Sequence, residues 1–403
     1  MPSRRARLPR PASARRRRLV PPALVLPLLL LLGACASDAP QDTLQPQGPL
    51  ARSIDRLWDG VFLIAVVVFV LVEFGTLALV IRFRRRRNDD DSELPTQTHG
   101  NTKLEIAWTI LPAVVLAVVG FFTLRTLFDI NDIDDEALTV QVTGQQWWWE
   151  YAYDTDGDGE FTDEDVLTAN DLVVPAGVDV NLDIESNDVI HSFWIPALNG
   201  KKDAVPGRIH DLRINADEPG TYVGQCTEFC GLSHGYMRQR VIALPQDEFD
   251  EWLAGQEDDA RVPAEEEAAA GAELFTTQCS GCHLARGIND EEFEEAGNGE
   301  ELLVAGNAPD LTHFASRGVF AGGIFDLWLD GDGDEIVEAD EIGGDGELNS
   351  AALEAWLRNP PAEKPMDAPY VPEPGDEPVR GMPNFNLQEA QIDQLVAFLA
   401  TLD

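Results

Sequence analysis

Two long apolar stretches constrain the fold of this chain more than any other feature. Residues 60–81 and 106–128 are each long and apolar enough for a helix that crosses a bilayer. A run of arginines and one phenylalanine, residues 82–87, lies between them, and such a basic cluster normally stays in the cytoplasm. The pattern therefore predicts a transmembrane helical hairpin over residues 50–130, with all later sequence outside the cytoplasm.

The N-terminus has the composition of an export signal. Four arginines at 15–18 precede an apolar run, residues 24–32, that is too short to span a bilayer. The run ends in Leu-Gly-Ala-Cys35, which resembles a bacterial lipoprotein box. We predict that residues 1–35 are a signal peptide, with lipid on Cys35 or, alternatively, an ordinary signal without lipid. The predicted location is the bacterial plasma membrane, with the C-terminal domains on its outer face.

The charge balance limits the class of partner. The chain has 71 acidic and 29 basic side chains, a formal net charge of −42, and it is acidic from about residue 130 onward. Nucleic acid is excluded because phosphate binding needs a basic surface. Two interpretations remain: steering of a basic partner protein, or a solvated acidic surface suited to salty surroundings.

The exported part divides once by composition. Residues 131–245 are rich in Val, Ile, Thr and aromatics, with Pro-Gly and Asn-Gly turns, which predicts β-structure. Residues 246–267 are acidic and alanine-rich and predict a linker or an exposed helix. From residue 268 the pattern is helical up to the C-terminus at 403, where residues 387–402 form an amphipathic pattern.

Four potential metal ligands lie within twelve positions: Cys226, Cys230, His234 and Met237. Thiolate and thioether are soft ligands that favour copper, and imidazole also suits it. A second imidazole is available at His191. The alternative is a disulfide between the two cysteines, which is the default expectation in an exported protein.

The cysteine run resembles the binuclear CuA site of cytochrome oxidase subunit II, and the resemblance covers about residues 50–245. It implies a cupredoxin-like β-barrel in which Cys226 and Cys230 bridge two coppers. The other ligands that it implies are His191, His234, Met237 as a weak ligand, and the backbone carbonyl of Glu228.

The same resemblance implies roles for three further side chains. Trp147, within three adjacent tryptophans, corresponds to the residue through which electrons reach copper, although these aromatics could instead serve packing. The carboxylate of Glu228 corresponds to a ligand of a magnesium or manganese site shared with subunit I. Glu105 corresponds to an acid at the mouth of a proton channel into subunit I, the alternative being a plain interfacial acid.

The second cysteine pair has the c-type haem attachment pattern, Cys279-Ser-Gly-Cys282-His283. In that pattern both thiols bond covalently to haem, and the histidine is the proximal iron ligand. Three flanking segments resemble those of small cytochromes c: residues 272–275, 307–311 and 381–385. Met382 is favoured as the sixth ligand and Met366 competes with it; a Met/His pair raises the iron potential.

An acidic loop at 154–165 has the ligand spacing of an EF-hand. The predicted calcium ligands are Asp154, Asp156, Asp158 and Asp165, with glycine at the sixth position. Aspartate in place of glutamate at the twelfth position predicts weak binding, and an acidic hairpin tip is the alternative. A related run at 330–341 has Glu335 where the glycine should be.

Taken together, the sequence predicts a multidomain membrane protein: a two-helix transmembrane hairpin, a cupredoxin-like β-barrel and a C-terminal all-α cytochrome c domain. It resembles subunit II of caa-type oxidases, which implies subunit I and further oxidase subunits as partners. The implied electron donor is cytochrome c or the cytochrome bc complex. Two alternatives stay open: a membrane-anchored carrier without an oxidase, and the copper domain of a nitrous oxide reductase.

Overall fold

The structure is a computed structural model. It describes residues 39–84, 99–134, 136–155, 157, 159, 161, 165–295, 308–329, 346–366 and 380–403. The predicted signal peptide with Cys35, the arginines at 85–87 and the acidic run at 330–341 lie outside the described residues. So do Asp156 and Asp158 of the predicted calcium loop.

Two long helices form the hairpin that the sequence predicts. They are α1, Pro49–Phe83, and α2, Thr102–Ile130. At about 1.5 Å per residue both exceed the roughly 30 Å thickness of a bilayer core. Pro49 suits the first turn of α1, and the side chain of Asn101 accepts a hydrogen bond from the Leu104 N–H (3.3 Å) at the start of α2. Their apolar side chains are largely exposed, as expected for helices that face lipid.

The start of α1 is bound to the β-region that follows the hairpin. The N–H of Ala51 donates to the carbonyl of Leu198 (3.1 Å), and Arg52 pairs with Asp217. At the far end of α2, the carbonyl of Asp129 accepts from the Arg213 guanidinium (3.2 Å). The β-region therefore sits at one end of the hairpin, opposite Arg82 and Arg84.

Ten strands lie between residues 138 and 244. They are β1 Leu138–Gln145, β2 Trp148–Tyr153, β3 Val166–Ala169, β4 Asp171–Pro175, β5 Val180–Ser186, β6 His191–Phe193, β7 Lys202–Ala204, β8 His210–Ile214, β9 Gly220–Gln225 and β10 Arg238–Leu244. A five-stranded sheet has the order β3-β2-β1-β5-β8, and a three-stranded sheet has the order β4-β10-β9. A short β6–β7 ladder completes the region. Buried aromatic and branched side chains from the sheets form one hydrophobic core.

The predicted β-barrel is not closed. Among the described residues the five-stranded and three-stranded sheets share no strand pairing, so the region is an open, cupredoxin-like sandwich. The chain passes from one sheet to the other at Asn170, which separates β3 from β4 and has φ = 67°. A residue in the left-handed conformation turns the chain sharply, which moves it from one sheet to the other instead of continuing the first.

The C-terminal region is mainly helical. Its helices are α3 Gln246–Gln256, α4 Glu266–Gln278, α5 Asp290–Glu295, α6 Ser350–Arg358, α7 Pro360–Glu363 and α8 Glu389–Leu399. Four short strands form two ladders: β11 Val319–Phe320 with β12 Phe325–Asp326, and β13 Trp328–Leu329 with β14 Glu347–Leu348. The expectation of an all-α domain is therefore wrong in this detail, because short strands within the long insertion between α5 and α6 form two antiparallel ladders.

A second hydrophobic core joins α4 to α8. The rings of Phe275 and Phe398 lie 5.3 Å apart. The helices approach so closely that a Cβ at Gly271 would collide with the backbone of Gln394, so glycine is required there. The first half of the predicted linker at 246–267 is α3, whose Phe249 is buried against the β-region core. The predicted domain boundaries stay predictions.

Candidate copper and haem sites

Strand ends and one loop position the potential copper ligands. His191 begins β6, Cys226 directly follows β9, and Met237 directly precedes β10. The N–H of Cys226 donates to the carbonyl of Met237 (2.9 Å), which closes the loop between β9 and β10. The next amide, at Thr227, donates to the Ser192 carbonyl (3.1 Å) and ties the loop to β6. Backbone hydrogen bonds thus bring His191 and Cys226 together, although they are 35 positions apart in the sequence.

The five predicted donor side chains converge. The two sulfur atoms of Cys226 and Cys230 lie 3.9 Å apart. The Nδ1 atom of His191 is 4.0 Å from the Cys226 sulfur, and that of His234 is 3.6 Å from the Cys230 sulfur. The Met237 sulfur is 3.9 Å from the Cys230 sulfur. Each thiol therefore has an imidazole of its own.

The cysteine geometry decides against the disulfide alternative. A disulfide needs sulfurs about 2.05 Å apart, whereas Cys226 and Cys230 are free thiols in the structure. The hydrogen bond with Cys230 lowers the pKa of Cys226 to about 4, and the hydrogen bond with His191 contributes to the same shift. The same shared hydrogen bond raises the pKa of Cys230. The pair thus readily supplies one thiolate, and a cation would have to displace the second proton.

This donor set fits copper. Cys226, Cys230, His191 and Met237 are all nearly fully buried, and they offer only sulfur and imidazole nitrogen. The carbonyl of Glu228 also faces the site, since the Cys226 thiol donates to it at 3.3 Å. A buried cluster of soft ligands selects copper over magnesium or calcium, which prefer oxygen.

Asp188 is a functional candidate that sequence reasoning missed. Its Oδ1 atom lies 2.8 Å from Nε2 of His191, so it can hold the ring with Nδ1 directed at the thiols. The N–H of Gln146 donates to its Oδ2 atom (2.8 Å). Although burial opposes the shift, these bonds lower the pKa of Asp188, and the bond to Asp188 raises the pKa of His191. Its position three residues before His191 was the available signal.

Trp147 and Glu228 lie beside the candidate copper ligands, and their roles stay predictions. Trp147 is 3% exposed, and its Nε1–H donates to the main-chain carbonyl of the candidate ligand Cys230 (3.0 Å). The side chain of Glu228 is exposed beside the copper ligands. Glu105 lies in the first turn of α2, also exposed, at the hairpin end remote from the β-region.

The second cysteine pair lies at the end of α4. Cys279 caps the helix, and the N–H of His283 donates to the Cys279 carbonyl (2.9 Å), forming a compact turn. The Nδ1 atom of His283 lies 2.8 Å from the Pro309 carbonyl, which orients the ring and leaves Nε2 for a ligand. Desolvation lowers the pKa of His283, so the ring is neutral and able to bind iron. These residues fit a covalently held haem.

The two candidate methionines pack on different cores. Met382 packs against the core that also contacts Cys279, whereas Met366 packs against the core of the β-region. This arrangement favours Met382 as the partner of His283. Arg317 is a second missed candidate: it is 4% exposed and donates to the Asp310 carbonyl (2.6 Å) next to His283. Burial lowers its pKa.

The predicted calcium loop is described only in part. The carboxylate of Asp154 accepts from the N–H groups of Gly157 (2.8 Å) and Gly159 (3.1 Å), and the carboxylate of Asp165 accepts from Thr155. Calcium binding stays a prediction.

Comparison with known proteins places the chain in a family. The profile of cytochrome c oxidase subunit II, periplasmic domain, matches residues 138–244, and that of its transmembrane domain matches residues 41–126. Cytochrome c oxidase subunit 2 of Alkalihalophilus pseudofirmus is 33% identical over 385 residues, which cover 93% of this chain and 94% of that protein. The chain belongs to the cytochrome c oxidase subunit II family.

Two further proteins are similar to this chain. Cytochrome c oxidase subunit 2 of Bacillus sp. PS3 is 30% identical over 336 residues, 79% of each chain. The solved periplasmic domain of subunit II of cytochrome oxidase of Bradyrhizobium japonicum is 30% identical and covers 30% of this chain and 93% of its own, with a TM-score of 0.27. By its family, the chain is a membrane-anchored part of an oxidoreductase complex, with an electron-transfer role beside subunit I.

Proposed function

We propose that this subunit passes electrons from an external donor through a c-type haem to a binuclear CuA centre and on to subunit I. There dioxygen is reduced to water and the reaction is coupled to proton pumping. The observation that carries the proposal is the set of two thiols, two imidazoles and a thioether within 3.6–4.0 Å contacts, buried except for the half-buried His234. Membership of the oxidase family argues against a carrier without an oxidase and against a nitrous oxide reductase.

The protein residues would hold copper as follows. Cys226, Cys230, His191 and His234 would be the main ligands, and Met237 and the Glu228 carbonyl would be weaker ones. Copper in such thiolate and imidazole surroundings would supply one-electron chemistry. The strand ends that carry His191 and Met237 keep the donors fixed, and Asp188 keeps the His191 ring oriented.

The C-terminal region would hold haem through Cys279 and Cys282, and His283 and Met382 would bind its iron. Haem with this Met/His ligation supplies a relatively high-potential one-electron carrier. The Pro309 carbonyl orients His283, and the buried guanidinium of Arg317 offers a countercharge for a haem carboxylate. Cytochrome c or the cytochrome bc complex is the proposed donor, and the acidic exported surface favours a basic one.

The membrane orientation follows from charge. Arg82 and Arg84 end α1 at the side away from the β-region, which supports a cytoplasmic position for them and an outer position for both sites. Glu105 lies at that same cytoplasmic side, where we propose that it feeds protons toward subunit I. The exposed Glu228 carboxylate is proposed to reach a magnesium or manganese ion shared with subunit I. Glu105→Gln should slow proton-coupled turnover and leave both optical centres intact; full turnover would contradict this role.

A single optical experiment tests the main proposal. The full chain, matured in copper-replete cells that attach haem, is recorded from the visible to the near infrared. Thiolate–copper bands together with a reduced c-haem band are the expected result. A haem band without copper bands would contradict the copper assignment, and copper bands without a haem band would contradict the haem assignment.

A further inference from the structure

A buried lysine lies where the C-terminal region meets the copper ligands. Lys364 follows α7, and its side chain is 3% exposed. Its Nζ atom donates to the Trp147 carbonyl (2.6 Å) and to the Ala321 carbonyl (2.8 Å). The lysine thus connects the main chain of the copper region to the main chain of the helical region.

The next two residues contact the copper region as well. The hydroxyl of Ser233, the neighbour of His234, donates to the carbonyl of Pro365. Met366 packs against the core of the β-region. Three consecutive residues, which we call the 364–366 segment, therefore lie against the candidate copper site.

Further contacts extend the same interface. The carboxylate of Asp171 accepts from the N–H groups of Gly318 (2.8 Å) and Val319 (3.2 Å) while it pairs with Arg240. The N–H of Arg238 donates to the carbonyl of Gly322 (3.0 Å). These bonds give the interface amides whose exchange with solvent can be measured.

Gly322 is required at this contact. Its φ of 77° favours glycine, and a Cβ there would collide with the Lys364 ammonium and the Trp147 carbonyl. The close approach of the two main chains therefore depends on a glycine on one side and a lysine on the other.

Burying a lysine is costly, so its position calls for a function. Lys364 has no ion-pair partner in the part of the chain that the structure describes, and burial lowers its pKa to about 7. Both the ammonium and the neutral amine carry at least two N–H groups, enough for both carbonyls. Lys364 therefore keeps both hydrogen bonds whether its amino group is charged or neutral.

We propose that Lys364 is a positioning residue that fixes Trp147 and, through it, locks the C-terminal region onto the copper site. Only two hydrogen bonds separate Nζ of Lys364 from the carbonyl of Cys230, since the Trp147 ring donates to that carbonyl. Electrons then enter copper from within the chain, and external donors are kept away from Trp147. This inference rests on the proposed haem-to-copper function.

Lys364→Met in the complete oxidase complex tests this inference, because methionine keeps most of the volume and removes the donor. Lys201→Met is the matched control: an exposed lysine of the copper region loses the same charge. Three quantities are compared with the native complex. They are amide exchange at residues 238, 318 and 319, the rate of haem-to-copper transfer after flash reduction, and the rate of copper reduction by a small external reductant.

We expect Lys364→Met to accelerate exchange at the three amides about tenfold, as for loss of a buried hydrogen-bonded contact. Transfer from haem to copper should fall at least about tenfold, because small displacements are costly when a site depends on positioning. Direct reduction of copper should stay equal or become faster, with unchanged copper absorption. A general loss of folding would instead slow both reactions and weaken the absorption. Lys201→Met should change nothing.

Gly322→Ala provides a second variant if Lys364→Met does not assemble, since it separates the same main chains and keeps the lysine. Native exchange and native transfer in a variant that retains copper absorption would overturn the inference. If the native complex itself transfers no electrons from haem to copper, the proposed function fails. In that case the amide exchange still decides whether Lys364 locks the interface.

Discussion

The two cysteine pairs of this chain lie in opposite kinds of surroundings. Cys226 and Cys230 are both 3% exposed and have an imidazole within 4.0 Å of each sulfur. Cys282 is exposed and Cys279 is only partly buried. A metal held by ligand bonds alone needs its donors fixed in advance, whereas a group attached by carbon–sulfur bonds needs thiols that can be reached during attachment.

The acidity of the thiols follows the same division. Hydrogen bonding within the copper site lowers the pKa of Cys226 to about 4, while desolvation raises the pKa of Cys279 to about 12. Metal ligands must be deprotonated, so Cys226 is prepared to bind a cation at neutral pH, whereas a cation has to displace the proton of Cys230. The second pair is kept as thiols, and its reaction depends on the machinery that attaches haem.

Replacing single cysteines should give the largest effect. It tests directly whether the two cysteine pairs serve separate sites. Cys226→Ser should abolish the copper bands and leave the haem band, because a bridging ligand is lost. Cys282→Ser should weaken covalent haem attachment and leave the copper bands. Optical spectra and haem staining of denatured protein measure both outcomes. Loss of both centres in either variant would mean that the two sites assemble together.

The two methionines sharpen the comparison next. Met382→Leu should remove the weak near-infrared band of methionine–iron ligation and lower the haem potential, since leucine cannot bind iron. Met366→Leu serves as the matched control and should keep that band, because Met366 packs on the β-region core. Near-infrared absorption of the oxidised protein distinguishes them. A band that survives only in Met382→Leu would reverse the assignment.

Loss of the charge that Asp188 presents to His191 should have an intermediate effect. Asp188→Asn keeps the shape of the side chain but removes its charge, and loss of such a partner typically weakens metal binding about 10–100-fold. Asp211→Asn, at an exposed position of β8, is the control. Competition with a copper chelator measures the affinity. Equal affinities in the two variants would remove Asp188 from the site.

The smallest effect is expected at the outer edge of the copper site. Arg380 lies 4.0 Å from Asp188 and is 41% exposed, so the ion pair is worth less than about 1 kcal/mol. Arg380→Gln should shift thermal unfolding only slightly and leave the copper spectrum unchanged. A spectral change as large as that of Asp188→Asn would show that the pair is part of the site.

The donors could be predicted from the sequence because they carry unusual chemistry at short spacing. Cys226 to Met237 span one loop, and the haem attachment pattern spans five residues. Asp188 and Lys364 were missed because a carboxylate and a lysine are common, and their partners become neighbours only through tertiary contacts. Lys364 meets Trp147 across 217 positions, a separation that no local pattern encodes.

The sheet closure and the role of residues 246–267 were harder to predict. A closed barrel and an open sandwich have the same alternation of apolar residues, so the alternation could not distinguish them. The acidic composition of residues 246–267 predicted a linker or an exposed helix, and α3 fills the first half of this range. Its Phe249 and Trp252, three positions apart on one helical face, form an apolar stripe that packs on the β-region.

The bonds from Asp171 to Gly318 and Val319 have a consequence for the modularity of the subunit. The side chain of Asp171 is only 2% exposed. Two of the hydrogen bonds to its carboxylate come from residues almost 150 positions later in the chain. If the copper region were cut out alone, water would have to replace these two hydrogen bonds, and only Arg240 would still pair with the carboxylate. Any ancestor in which the two regions were separate chains would have needed another way to satisfy this carboxylate.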